Sequence, residues 1–445
     1  MQTCDFLVIG GGVIGLSIAR ELRRRHADAR VLLIEKEPSC GAHASGRNSG
    51  VLHAGFYYSP DSLKAKLTRL GNERLTAYCE EKHIPLNKCG KLVVAKNAAD
   101  LPSLDELFRR GQVNGIELQP LTEAEAKSIE PRVKTYQRAL FSPRTSTVSP
   151  LYVVNAMQQD ALDEGIRIQC NTAYRRREDT RVYTDRDSIE AGYVVNAAGL
   201  YADKIAMDYG FSEKYRILPF KGLYLYSDEP AGAIRTNIYP VPDLRNPFLG
   251  VHFTITADGK AKIGPTAIPA LWRENYEGFG NFNFGELIEV ASRGLGLLTG
   301  AGFDFRRLAM EEITKYSRSK MVTLASVLAE GVTDALYAVA IVPAKFDHAL
   351  RLSRQGLRLT LLVESEAAGA TVPAELETAL AIDGRMRLAD LVEEELLLAL
   401  PPAPRHPEGQ CPGGASGSKA EESVEPSRRP FASLGELLKS GRSKN

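Results

Sequence analysis

The sequence predicts an α/β fold built around a parallel sheet, and three stretches predict it. Residues 5–25, DFLVIGGGVIGLSIARELRRR, pass from an apolar strand through glycines into a helix. Residues 30–37, RVLLIEKE, form a second apolar strand that closes on an acid. Far downstream, YVVNAAGLYADKIA (193–206) repeats the strand-to-helix pattern with small residues at the join.

Each element follows from its residues. Phe6 to Ile9 is a short apolar run suited to a parallel strand covered on both faces. Gly10, Gly12 and Gly15 satisfy G-x-G-x-x-G, and Leu16 to Arg25 has helical composition. Gly10 permits the tight turn, Gly12 lets a pyrophosphate approach the backbone, and Gly15 lets helix and strand pack closely. The helix N-terminus then offers amide donors to phosphate. Glu35 ends the second strand 20 residues after Gly15, placed to take the hydroxyls of an adenosine ribose. At the end of the downstream strand, Ala198 and Gly199 let a ligand lie against the backbone.

Residues 46–58, GRNSGVLHAGFYY, fit no ordinary element. They carry too much glycine for a core helix and too many buriable side chains for a surface loop.

Bulk properties narrow the function. The 445 residues suffice for two or three domains, and 44% hydrophobic with 25% charged residues is ordinary for a soluble globular protein. A net charge of +1 gives no global electrostatic case for nucleic acid or a membrane surface. The six cysteines are scattered without zinc spacing, so no metal site is expected and a reducing compartment is. The N-terminus enters an apolar strand without a signal-peptide pattern, and no apolar run approaches membrane-spanning length. The expected location is cytoplasmic, with peripheral contact to the inner membrane left open.

With these pieces in place, the chain resembles FAD-dependent oxidoreductases of the D-amino-acid-oxidase-like superfamily, and more narrowly the L-2-hydroxyglutarate dehydrogenases and oxidases. The stretches that carry the resemblance are IGGGVIGLSIARELRRR, HASGRNSGVLHAGFYY, KCGKLVVA, YVVNAAGLYADKIA, LPFKGLYLY, IYPVPD and PFLGVHFT, in that order over about residues 3–318. The resemblance implies a Rossmann-like FAD-binding domain (1–85 and 145–215) interleaved with a mixed-sheet substrate domain (86–144 and 216–318). It implies FAD as cofactor, a 2-hydroxy acid as substrate, and an electron acceptor that oxygen, a quinone or an electron-transfer flavoprotein would equally satisfy.

The resemblance also assigns residues 46–58 a place beside the flavin. Gly46, Asn48, Ser49 and Gly50 would approach or hydrogen-bond it, and Arg47 would serve a carboxylate or phosphate. His53, Tyr57 and Tyr58 would face the substrate. Oxidising a 2-hydroxy acid removes a hydride from C2 and a proton from the hydroxyl; the flavin carries the first and a protein base takes the second. His252, in the alternating strand GVHFTIT, is the expected base, with Thr254 on the same face and His53 as a second polar contact. Lys221 and Tyr239 are further candidates for the substrate's carboxylates.

Beyond residue 318 the resemblance fades. The family's late strand and Gly/Ser-rich turn, which return to the flavin, have no counterpart. Residues 319–354 read as a junction. Residues 355–445 form a partly disordered α+β tail that resembles the C-terminal half of YceD-like proteins associated with large-subunit ribosomal RNA accumulation, with disorder over 401–430. That tail implies a possible ribosome-assembly partner. The competing readings are an amine or amino-acid oxidase of the same superfamily, and a non-catalytic fusion whose tail acts in ribosome assembly.

Overall fold

The computed structural model describes residues 2–337 apart from 61, 214, 243–249 and 301–311, together with 342–344. The YceD-like stretch and the disorder expected over 401–430 lie outside the described residues.

Strands are numbered in chain order. The first sheet contains β1 (Gln2–Ile9), β2 (Val31–Ile34), β9 (Arg167–Gln169), β10 (Tyr174–Glu178), β11 (Arg181–Thr184) and β12 (Ser188–Asn196). Its order is β10-β11-β12-β1-β2-β9, with β12, β1, β2 and β9 parallel. Successive residues of β1 serve opposite faces. Leu7 and Ile9 join a core with Leu32, Ile34, Ile189 and Ile205. Val8 joins another with Val31, Leu33, Leu16 and Ala19 of helix α1 (Val13–Arg25), and with Val154. Burial on both faces is why these strands are continuous apolar runs.

A second, nine-stranded sheet is mostly antiparallel. It contains β5 (Lys91–Val94), β6 (Gln119–Thr122), β7 (Arg138–Ser142), β13 (Phe220–Tyr226), β14 (Asn237–Pro240), β15 (His252–Ile255), β16 (Ala261–Gly264), β17 (Ile268–Pro269) and β18 (Val342–Ala344). A small three-stranded sheet, β3 (Val51–Leu52), β8 (Ser146–Val148) and β4 (Leu86–Asn87), adjoins them.

The two faces of the second sheet differ in chemistry. Leu92, Val94, Ile238, Phe253, Ile255, Ile263 and Leu225 form its apolar face. Helix Arg318–Ser326 covers that face with Met321, Val322 and Ala325, followed by Leu328, Ala329, Val332 and Tyr337. Residues 319–337, expected as a junction, are thus part of this sheet's core; their apolar spacing is what the sheet requires for burial. The other face is apolar at its β5–β7 end, where Val93 and Leu140 pack with Leu104 and Leu107, and its polar part across β5, β14, β15 and β16 forms the candidate site.

The two main sheets are clamped by charge. Arg273 is 1% exposed, and its guanidinium donates to both carboxylate oxygens of Asp203 at 2.7 and 2.8 Å. Lys36, just after β2, reaches Glu274 at 2.6 Å. Residues Gly192–Asn196 of β12 pair only with β1 among the described residues, and Tyr193 is 53% exposed. No helix among the described residues is long and apolar enough to cross a membrane.

Candidate functional site

The glycine turn lies where the ends of β1 and β12 meet. Gly10 has φ +115°, and a Cβ there would stand 2.3 Å from the Ala197 carbonyl oxygen. A Cβ on Gly15 would stand 1.9 Å from the Gly10 carbonyl oxygen. Both glycines are therefore demanded by the chain itself. Gly12 is different: it has φ −79°, and an added Cβ would meet only the side chain of Ser45 within 4 Å. Helix α1 starts at this residue without a side-chain cap and without an acid in its first turn. Such an N-terminus is the complement of an anion. At the end of β12, Gly199 is exposed, with φ +51° and nothing within 4 Å of an added Cβ. A helix end whose first amide, Val13, donates to the Ser45 hydroxyl at 2.9 Å and whose later first-turn amides have no side-chain acceptor, beside open backbone at Ala198–Gly199, fits a dinucleotide.

Glu35 is 8% exposed and accepts from the Gly11 amide at 2.6 Å and the Glu37 amide at 2.9 Å. It fixes the glycine turn with one lone pair on each oxygen, which leaves the others for a ribose.

The 46–58 stretch divides between its own folding and the site. Asn48 is exposed and spends its side chain on its own loop: Oδ1 accepts from the Gly50 amide at 2.9 Å, and Nδ2 donates to the Ala44 and Ser45 carbonyls. A Cβ on Gly46 would lie 2.3 Å from the Gly41 carbonyl oxygen, and one on Gly50 2.2 Å from that of Val148. These three, expected as flavin contacts, answer first to local packing. Arg47 donates to the Ala42 carbonyl at 2.7 Å and lies over the Tyr276 ring. Ser49 presents its carbonyl to the Lys262 ammonium at 3.3 Å. His43 is engaged by Tyr276 and Glu37, and with Glu274 this forms the one carboxylate–imidazole group of metal-binding dimensions among the described residues. The Lys36 ammonium contacts both carboxylates, so the group is an ion-pair network.

On the polar face of the second sheet, strand registers bring distant residues together. His252 and Thr254 alternate outward from β15; His252 lies opposite Gly264, and Thr254 opposite Lys262. Ile238 pairs with Phe253, which puts Asn237 and Tyr239 on the His252 face. Parallel pairing of Asn237 with Lys91 and Tyr239 with Val93 adds β5. The rings of Tyr239 and His252 stack with centroids 3.7 Å apart, and His53 meets Tyr239 edge-on at 6.3 Å. The Tyr57 hydroxyl is buried here without a hydrogen-bond partner. Tyr58 is half-buried, with its carbonyl held by Asn114 and its ring under Lys64.

His252 is 2% exposed, and its Nδ1 lies 2.8 Å from the Gly250 carbonyl oxygen. A carbonyl can only accept, so Nδ1 carries the proton and Nε2 keeps its lone pair. Burial pushes the imidazole pKa down to about 3; the Gly250 bond opposes this, and the Lys91 and Lys262 charges add to it. His53 is lowered by burial first, then by Lys91, His252 and Lys64.

Lys221 is a correction. It shares its side of β13 with Leu225, in alternation with Tyr224 and Tyr226, and its ammonium donates to Asn275 at 3.2 Å. Strand alternation turns it away from the polar face. Two other lysines, missed in the sequence, occupy that face. Lys91 is fully buried and Lys262 is 5% exposed. The available signal was a lysine inside each of two otherwise apolar strands, KLVV and AKIG.

Fold and site together define a nucleotide-binding oxidoreductase whose second sheet presents a face of buried histidine, tyrosine and lysine. The chain belongs to the FAD dependent oxidoreductase family (DAO), whose model matches residues 5–313; its cofactor is FAD. Among its relatives is the mitochondrial L-2-hydroxyglutarate dehydrogenase of Nematostella vectensis, 37% identical over 322 residues, spanning 68% of this chain and 70% of that protein. The L-2-hydroxyglutarate dehydrogenase of Escherichia coli K12 is 36% identical over 292 residues, covering 64% and 69%. The human mitochondrial enzyme of that name is 36% identical over 320 residues, covering 68% and 69%. Among solved structures, FAD-bound L-alpha-glycerophosphate oxidase from Mycoplasma pneumoniae superposes with TM-score 0.62 at 22% identity, covering 80% of this chain and 87% of that one. Glycine oxidase from Geobacillus kaustophilus gives 0.56 at 22%, covering 80% and 85%. At that identity these two support the fold alone.

Proposed function

We propose that this chain oxidises a 2-hydroxy acid, L-2-hydroxyglutarate, to 2-oxoglutarate. The observation that carries the chemistry is the tautomer of His252, whose free Nε2 lone pair on a buried strand suits a general base for the C2 hydroxyl. The relatives' shared name supports the substrate.

FAD, when bound, supplies the two-electron acceptor for the C2 hydrogen. Gly12, the α1 N-terminus, Glu35, Ala198 and Gly199 would hold its nucleotide part, and the Ser49–Gly50 backbone borders the substrate face. His252 takes the hydroxyl proton at Nε2. The Tyr239 ring stacked on the imidazole and the Gly250 carbonyl behind it fix the direction from which that proton arrives. Turnover requires a second electron acceptor; oxygen, a quinone and an electron-transfer flavoprotein are distinguished by supplying each in turn.

The test is product formation. FAD-loaded protein given L-2-hydroxyglutarate and an artificial electron acceptor should yield 2-oxoglutarate. Bound FAD with no 2-oxoglutarate would rule out this substrate.

A further inference from the structure

The polar face holds two buried lysines that no carboxylate pairs with among the described residues. Lys91 lies under three aromatic rings, 4.6 Å from the Phe56 centroid, 4.4 Å from Tyr57 and 4.9 Å from Tyr239, and its ammonium is 3.5 Å from His53 Nδ1. Lys262 lies over the rings of Tyr224 and Tyr226 and donates to the Ser49 carbonyl. Among the described residues, neither forms an ion pair. Ring faces and a carbonyl stabilise an ammonium, yet they do not neutralise it. The cost is visible in their acidity: burial alone lowers Lys91 to about 7, and burial lowers Lys262 to about 8 against a weak opposing pull from Asp258.

Unpaired buried charges persist where a ligand supplies the partner. The strands carrying the two lysines flank those of Tyr239 and His252, three strand spacings apart, roughly 14 Å. A five-carbon diacid with a hydrogen bond at each end spans about 11 Å, within reach of two long side chains on one face. Resting on the function proposed above, we infer that Lys91 and Lys262 each receive one carboxylate of a dicarboxylate substrate, and that filling both removes the opposition of their charges to His252 as the base. Each ammonium disfavours protonation of His252. Two carboxylates would neutralise both ammoniums and remove their share of the opposition to a proton on the imidazole, while burial, the larger cause, stays. A 2-hydroxy acid with one carboxylate leaves one lysine uncompensated and is penalised in the chemical step as well as in binding. Lys91 and Lys262 act on His252 directly; around them stand His53, Tyr57, Tyr224, Tyr226 and Tyr239, with Lys64 acting on His53 and Asp258 on Lys262.

The experiment compares wild type with Lys91→Met and Lys262→Met, all FAD-loaded. Glutarate, which has no hydroxyl to oxidise, is titrated by calorimetry; L-2-hydroxyglutarate and L-2-hydroxybutyrate are compared in steady state. Each variant should bind glutarate about 10- to 100-fold more weakly. Neither should melt below wild type, because each loses an unpaired buried charge. Wild type should favour the diacid in kcat as well as KM. Unchanged glutarate affinity in both variants, or no glutarate binding by wild type, would overturn the inference. Wild type that binds glutarate through the lysines but oxidises no L-2-hydroxyglutarate would sink the proposed function and leave the diacid site standing. Oxidation with unchanged KM in both variants would do the reverse.

Discussion

His252 is the base proposed for the site, and its environment defines what its loss should do. Its Nδ1 is committed to the backbone and its ring is stacked on Tyr239, which fixes the direction in which Nε2 points. His252→Ala should slow substrate-dependent flavin reduction by ~10²–10⁴-fold while flavin content stays the same. Stopped-flow reduction at saturating substrate measures this, and an unchanged rate would remove His252 from the role. The histidine was legible because strict alternation in GVHFTIT puts it beside Thr254. Lys91 and Lys262 were not, because a lysine in KLVV or AKIG looks like a strand edge until the sheet closes around it. Lys221 misled for the same reason: its face depends on the phase of β13, which the sequence FKGLYLY leaves undetermined.

At the scale of elements, the strand–turn–helix start was readable because five independent features agree over residues 6–35. The structure adds a distinction among its glycines. Gly10 and Gly15 abut backbone oxygens, so substitution there attacks the fold; Gly12 abuts only the movable Ser45 side chain. Gly12→Val should therefore leave the protein folded, at a cost of about 1 kcal/mol for disturbing the Ser45–Val13 contact, and should abolish flavin retention. Flavin content and Tm of the purified variant test this together; full retention would show that the pyrophosphate does not approach Gly12. Residues 46–58 announced themselves as unusual, but a glycine needed by a neighbouring carbonyl and a glycine needed by a ligand look identical in a sequence. Gly46 and Gly50 are of the first kind.

For the whole molecule, the two sheets are assembled from interleaved segments. Lys91–Val94 pairs in parallel with Asn237–Pro240 across more than a hundred residues, a pairing no local periodicity contains. The Arg273–Asp203 and Lys36–Glu274 contacts then hold the sheets together through buried or half-buried charge. The boundary drawn near residue 318 reflects where motif similarity fades; burial of Met321 through Tyr337 extends the same core further. Residues Gly192–Asn196 of β12, which pair only with β1 among the described residues, lie beside the glycine turn.

The most direct measurement is the visible spectrum of the purified full-length protein before and after anaerobic addition of L-2-hydroxyglutarate. The expected result is a bound-flavin spectrum that bleaches on adding substrate, with 2-oxoglutarate released. A protein that stays colourless after reconstitution with FAD, or a flavin band that L-2-hydroxyglutarate leaves untouched, would contradict it.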